Sequence, residues 1–434
     1  MAGKRHVILG SGTAGLNAIR TLRQLGDDGP IVLVSAEAPY SRMVLPYYLA
    51  RRITEPHVTT ATGRQLDEWG VERQIGRRAE GLDTKAAKLR LDNGEDVAYD
   101  DLLIATGSSA LRPPIPGAEH ARCFNFWTLD DAKGVNKTIS PDAHVVMVGA
   151  GFISFTILNA ILERAGRLTI VEVAPRILPR MIDDAGAALV TDWLTERGVT
   201  IRAGAEITGI AERGQGLRLT FAEGDSIDAD LVLMATGIRP NLGWLDGSGI
   251  ETNQGILVDE YLRSNVDNVY AAGDVAEGRN RVTGAREVHA IEPTAMEHGR
   301  IAAANMAGKK IAYPGSLLMN IVSAAGLDMA SFGSWDDDGA EVVAAQAPAR
   351  RAYRKYLFRG GRMVGAILIE SAGETWSGND VGMLKGLVQS GVDLSAWKSH
   401  LAERPFEIKK PYLATGTTAR LLPETIIGQP SPAM

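Results

Sequence analysis

The sequence predicts an α/β protein with two copies of one parallel βαβ unit and a small α+β module near its C-terminus. Three observations carry this. HVILGSGTAGLNAIRTL (6–22) and HVVMVGAGFISFTILNAIL (144–162) share a pattern: a β-branched apolar run, glycine-x-glycine, then an apolar helical run. Each leads to a second apolar run, IVLVSAE (31–37) and LTIVEV (168–173), as suits strands buried on both faces of a parallel sheet. Much later, RRAYRKYLFRGGRMVGAILIES (350–371) reads as a hairpin turning at Gly360-Gly361.

Length and composition bound the answer. The 434 residues exceed what one core holds, so two or three domains are expected. Hydrophobic residues at 45% and charged residues at 23% are ordinary for a globular chain. A formal net charge of -6 gives no global reason to hold nucleic acid. The single cysteine, Cys123, excludes an internal disulfide, a CxxC pair and a cysteine-rich metal or iron–sulfur site. No apolar run reaches the ~18 residues that span a bilayer, and MAGKRHVILGSG enters a strand with no signal-peptide pattern, so a cytoplasmic location is expected.

In the first unit Gly10, Gly12 and Gly15 complete G-x-G-x-x-G. The first glycine makes the tight turn, the second lets backbone N–H groups reach a pyrophosphate, and the third lets helix pack on strand. An acid roughly 20 residues on should accept the ribose hydroxyls; Glu37 falls in that loop, slightly late. In the second unit Gly149 and Gly151 are present, but Ser154 stands where the third glycine is expected, followed by Phe155 and Thr156. That position governs packing, so a small residue costs little. Glu172 ends the second strand, where a carboxylate accepts ribose hydroxyls and repels a 2′-phosphate, favouring NADH over NADPH. Arg176 nearby argues the other way, since an arginine can hold that phosphate.

Three further stretches give the pattern its specificity. YDDLLIATGSSALRPPIPG (99–117) carries Ala105-Thr106-Gly107, ADLVLMATGIRPN (229–241) carries Ala235-Thr236-Gly237, and NVYAAGDVAE (268–277) carries Gly273-Asp274. Together with the two glycine turns, they resemble the two-dinucleotide-binding-domain flavoproteins. The resemblance covers about residues 4–400. PYSRMVLPYYLA (39–50), EPTAMEHGRIAAANMAG (292–308) and GSLLMNIVSAAGLDMASFG (315–333) are similar to segments of the rubredoxin reductases, ferredoxin reductases and the N-terminal part of NADH nitrite reductases.

The resemblance implies two Rossmann-like dinucleotide-binding domains, one inserted in the other, plus the small C-terminal domain. The implied boundaries are an FAD-binding part over 1–112, an NAD-binding domain over 113–240, a return to the FAD-binding domain over 241–315, an α+β domain over 316–403 and an extended tail over 404–434. FAD is then held by Gly10, Gly12, Gly15, Glu37, Arg42, Ala79, Ala105, Thr106, Gly107, Gly273, Asp274, Pro293 and Thr294. NADH is held by Gly149, Gly151, Phe152, Ile153, Glu172 and Gly237. The helix from residue 292 would point its N-terminus at the flavin ring.

Two departures from the family pattern stand out. Relatives with thiol chemistry carry a cysteine just before LPYY, where this chain has Met43, and a thioether cannot become a thiolate. Cys123 reads as a packed residue. A lysine and a glutamate that pair beside the flavin in ferredoxin-reductase relatives fall on Tyr47 and Thr156, so both charges are absent together. No other side chain is assigned to catalysis.

The expected activity is transfer of hydride from NADH to FAD and of electrons onward to a carrier protein such as rubredoxin or ferredoxin, or to a partner subunit. The alternatives are reduction of a small acceptor (quinone, oxygen or a sulfur compound) and a weakly catalytic flavoprotein scaffold. Arg350, Arg351, Arg354, Lys355, Arg359 and Arg362 form a candidate docking patch, or alternate strand residues facing solvent. Trp376 is expected over the flavin edge or in packing. The last ~30 residues read as an arm across a neighbouring subunit of a homodimer, or as an unstructured tail. His289 and His298 lack any metal-ligand spacing.

Overall fold

The computed structural model describes residues 3–373 and 375–421; the side chains of 375–378, and with them the expected role of Trp376, lie outside the described residues. Its helices are α1 (Thr13–Gln24), α2 (Leu45–Leu49), α3 (Gly63–Glu68), α4 (Leu129–Thr138), α5 (Phe152–Arg164), α6 (Asp184–Thr195), α7 (Glu292–Met306), α8 (Thr375–Ser390), α9 (Lys398–Glu403), α10 (Lys409–Ala414) and α11 (Thr417–Leu421).

The two repeats fold alike. In the first, His6–Leu9 lies between Ile31–Ser35 and Asp101–Ile104, with Val71–Ile75 and Val269–Ala271 at the edges, all parallel. In the second, His144–Val148 lies between Arg167–Glu172 and Leu231–Met234, with Thr200–Ala203 and Cys123–Asn125 at the edges, again all parallel. Every residue of His6–Leu9 is buried, as the unbroken apolar run requires of a central strand covered on both faces. Each unit adds a three-stranded antiparallel sheet: Ala79–Asp83, Lys88–Leu91 and Asp96–Ala98 in the first; Ile207–Arg213, Gly216–Phe221 and Ser226–Ala229 in the second.

The first sheet is completed only by Val269–Ala271, after the whole second sheet has formed, so the second unit is inserted in the first. The chain leaves through Ser108–Ala110 and returns through Ile238–Pro240, and these two crossings pair as an antiparallel ribbon.

The C-terminal sheet runs Met319–Ala324, Leu327–Gly333, Arg362–Ser371, Ala352–Arg359, Glu341–Ala347, each neighbour antiparallel. One face joins the core of the second unit: Leu327, Tyr353, Leu357, Ile367 and Ile369 share a cluster with Met147, Phe155 and Ile161. The other face, with Phe332, Tyr356 and Phe358, packs against Leu384 and Leu387 of α8. Leu45, Leu49 and Val58 also belong to the second unit's core, so the segment carrying α2 leaves the first unit to pack on the second.

Covering both sheet faces takes Arg354 and Lys355 out of the basic patch read on residues 350–362, while Arg362 stays exposed. Arg354 is 1% exposed and pairs with Glu370 and Asp380. Arg350 pairs with Glu370, Arg351 with Glu196, Lys355 with Asp183 and Arg359 with Asp337. Alternate exposure needs one open face, and this strand has none in its middle.

The tail is corrected as well. From 404 the chain does not run extended: α10 and α11 pack on α8, with Pro411 and Thr417 buried. Residues 422–434 lie outside the described residues.

Candidate functional site: two glycine turns

The first glycine of each turn is dictated by its neighbour on the adjacent strand. Gly10 has φ +117°, and a Cβ there would stand 2.1 Å from the carbonyl oxygen of Ala105. Gly149 has φ +97°, and its Cβ would stand 2.4 Å from that of Ala235. The two A-T-G alanines are therefore what the first glycines pack against. In both A-T-G segments the glycine takes positive φ (Gly107 +63°, Gly237 +121°) and starts the crossing ribbon. Thr236 donates to the Leu111 carbonyl at 2.9 Å, and Asn241 donates to the Thr106 carbonyl at 2.8 Å, so the two crossings are laced together.

The second glycines face open space. A Cβ at Gly12 or Gly151 would meet no protein atom within 4 Å. Each is the N-cap of its helix, α1 or α5, and neither helix start has a side-chain cap or an acid in its first turn. Helices α4 and α6, by contrast, are capped by Thr128 and Asp183. Unspent N–H groups at a positive helix end, beside space that a methyl would enter, form a cradle for phosphate. The residues present fit two dinucleotides.

The third position differs between the copies. A Cβ at Gly15 would lie 2.0 Å from the Gly10 carbonyl oxygen. In the second copy Ser154 is fully buried and its hydroxyl donates to the carbonyl of Gly149. Phe155 is 1% exposed and sits in the core, so it does not plug the turn.

Around the first turn, Ser35 occupies the strand position that Glu172 holds in the second: Gly10 N–H bonds the Val34 carbonyl as Gly149 N–H bonds that of Val171. The Ser35 hydroxyl accepts from Ser11 N–H, whereas Glu172 accepts from Ala150 N–H. The first unit's acid, Glu37, lies two residues farther on, which explains its late spacing. Its carboxylate meets Arg42 and the Tyr40 hydroxyl, each at 2.8 Å. Arg42 also donates to the carbonyl of Trp127 at 2.5 Å and lies 5.5 Å from the ring centres of Tyr40 and Trp127. Sequence reasoning missed this link from the first unit to the second; Trp127 lies 85 residues from Arg42, and no local pattern marks the pair. Burial pushes the Tyr40 phenol well above its ordinary range, opposed by Arg42, so it stays a proton donor.

Gly273, at φ +76°, wedges between α1 and α7, where its Cβ would lie 3.4 Å from that of Ala14 and 3.5 Å from that of Ala295. Asp274 follows it and accepts from the Ser108 hydroxyl at 2.7 Å. Crowding by protein atoms raises the Asp274 carboxyl above its ordinary value. Helix α7 starts without a side-chain cap, with Pro293 in its first turn and Thr294 buried. Glu292 accepts from the Thr13 hydroxyl at 3.1 Å, so the starts of α1 and α7 meet. Gly299 makes that possible: a Cβ there would lie 2.2 Å from the Ala14 carbonyl oxygen. Ala79, half-buried, opens the first unit's antiparallel sheet.

On the second turn, Glu172 is nearly buried and accepts from Ala150 N–H at 2.7 Å and Ala174 N–H at 2.9 Å. Arg176 is engaged within its own loop by Asp184 at 3.1 Å and by the carbonyls of Pro179 and Ile182 at 3.3 Å. Phe152 and Ile153 begin α5, half-buried. The Thr156 hydroxyl donates back to Ile153 at 2.7 Å, and Tyr47 is half exposed on α2; no hydrogen bond joins the two. Met43 is exposed to the same degree. Cys123 lies buried in the entering edge strand, with its thiol pushed up to about 11 by burial. No thiolate is available to the site.

Comparison with known proteins agrees with this geometry. Residues 4–304 match the family described as pyridine nucleotide-disulphide oxidoreductase. The chain is 29% identical to the NADH-dependent phenylglyoxylate dehydrogenase subunit epsilon of Aromatoleum evansii, over 94% of this chain and 97% of that one. It is 30% identical to the rubredoxin-NAD(+) reductase of Pseudomonas putida, over 71% and 81%. Among solved structures, the covalent putidaredoxin reductase–putidaredoxin complex shares the fold with a TM-score of 0.85 at 20% identity, over 96% of this chain and 100% of that one. The chain belongs to the pyridine nucleotide-disulphide oxidoreductase family, as a flavoprotein oxidoreductase that uses FAD and NAD(H) without a cysteine at its reactive face.

Proposed function

We propose that this protein takes hydride from NADH and hands electrons to a protein carrier or a partner subunit. FAD bound here would supply a centre able to take a hydride pair and pass electrons on singly. The chain's own residues bind, orient and exclude. The cradle at Gly12 and the start of α1, with Glu37, Arg42 and Asp274, holds the flavin nucleotide. The cradle at Gly151 and the start of α5, with Glu172, holds the nicotinamide nucleotide. The start of α7 would offer its positive end to the ring, and no side chain need move a proton.

One observation carries this reading: two open glycine cradles, Gly12 and Gly151, served by the two crossings of one ribbon, with no thiolate between them. Thiol relay is thereby excluded, which favours outward transfer to a carrier. The relatives support the same acceptor class, one named a rubredoxin reductase and one a subunit of a larger NADH-dependent dehydrogenase. NADH is favoured over NADPH because Glu172 presents a carboxylate to the ribose and Arg176 is committed elsewhere. The domain boundaries, a cytoplasmic location and assembly as a homodimer or with a partner subunit belong to this proposal. It is tested by adding NADH anaerobically to the flavin-loaded protein and then adding rubredoxin, ferredoxin, quinone or oxygen. Reoxidation by the carriers ahead of the small acceptors supports it; reoxidation by quinone or oxygen alone sinks it.

A further inference from the structure

The hairpin that leads into α7 carries three arginines, Arg279, Arg281 and Arg286, and among the described residues none of them makes an ion pair or a side-chain hydrogen bond. Arg279 and Arg286 are exposed and stand directly opposite each other as cross-strand partners. Like charges in that position destabilise a hairpin. The hairpin's own acids do not relieve them. Glu277 is buried and accepts from Gly255 N–H and Asn253. Glu287 is turned to Asn280, Thr283 and His289.

The presentation is rigid. Asn280 accepts from the N–H groups of Val282 and Thr283, fixing the turn. Arg281 N–H bonds the Ser316 carbonyl, and Ser316 N–H bonds that of Arg279. The second strand, Arg286–Glu287, leads within five residues into α7, and Ser316, bonded to the backbone of Arg279 and Arg281, meets His298 of that helix at 3.4 Å. The basic residues of 350–359, by contrast, are all paired.

We infer that the Arg279–Arg281–Arg286 hairpin is the docking surface for an acidic face of the electron-accepting protein. This rests on the proposed transfer to a protein carrier and names the surface and the partner's charge. A rigid cluster of unpaired cations on a chain of net charge -6 attracts an acidic partner and sets its orientation; its contribution falls with salt. The like-charge strain across the hairpin is relieved when carboxylates of the partner arrive.

The test uses the flavin-loaded protein, the double variant Arg279→Glu/Arg286→Glu, and Arg362→Glu as a control elsewhere on the surface. Binding of a zinc-substituted acidic rubredoxin is measured at low and high salt, apart from any electron transfer. Circular dichroism and flavin content establish that each variant folds. We expect the double variant to bind at least about tenfold more weakly at low salt, to lose most of the salt dependence, and to be bleached by NADH at the wild-type rate. Arg362→Glu should bind as wild type does. Equal binding by wild type and double variant overturns the surface while leaving the proposed function in place. A wild type that binds the zinc protein through these arginines, yet passes electrons to no carrier, overturns the function and not the surface. Equal loss in Arg362→Glu overturns the surface by showing a charge effect without a location.

Discussion

The hydroxyl of Ser154 donates to the carbonyl of Gly149, so the second dinucleotide turn is closed by a side chain where the first is closed by the absence of one. Ser154→Ala should remove that bond, cost about 1 kcal/mol of stability and leave NADH binding intact. Gly15→Ser should instead fail to give a flavin-loaded protein, because its Cβ meets the Gly10 carbonyl oxygen at 2.0 Å. Thermal melts and flavin absorbance distinguish the two.

The first and second glycines separate folding from binding. Gly10→Ala places a Cβ against Ala105 at a φ that L residues avoid, so soluble protein should be lost. Gly12→Val adds atoms only where the pyrophosphate would lie, so the protein should fold and come out colourless. Gly151→Val should stay yellow and lose bleaching by NADH. Absorbance spectra and circular dichroism of the three variants check this.

Nucleotide choice should reside in Glu172. Glu172→Gln keeps an acceptor for Ala150 N–H but removes the charge that repels a 2′-phosphate. The ratio of bleaching rates, NADH over NADPH, should fall by roughly tenfold, equivalent to about 1.4 kcal/mol. An unchanged ratio in stopped-flow traces would place the discrimination elsewhere.

Asp183 joins the second unit to the C-terminal sheet. It caps α6 through Gly186 N–H and meets the Tyr353 hydroxyl at 2.7 Å and Lys355 at 3.0 Å. Burial pushes its carboxyl up, but these donors together outweigh burial and hold it below its ordinary value of 3.8. A carboxyl lowered on folding stabilises the protein above its unfolded pKa, and the contribution is lost as pH falls through the folded value. Asp183→Asn should therefore cost roughly 1–2 kcal/mol near neutral pH, with the difference from wild type closing at acid pH. Melting temperatures across pH check the convergence.

The doubled βαβ unit was legible because strand burial and glycine turns are local: the run at His6–Leu9 and the spacing of Gly10, Gly12 and Gly15 each answer to a neighbour within the same unit, or to one A-T-G strand. What was not legible depends on packing between units. Arg354 read as a surface cation until α8 covered its face of the sheet and supplied Asp380. Arg42 and Trp127 meet only because the α2 segment crosses to the second unit. Glu37 fell late because Ser35 holds the strand-end position. The helices of 409–421 escaped notice because their sequence is weakly periodic and they are held by contact with α8.

Anaerobic addition of NADH to the purified yellow protein, followed at the flavin band, tests the central claim most directly: that both dinucleotides lie in one cleft with their rings in reach. Rapid bleaching by NADH, with NADPH much slower, is the predicted result. A flavin that binds at Gly12 yet keeps its colour in excess NADH would contradict the account.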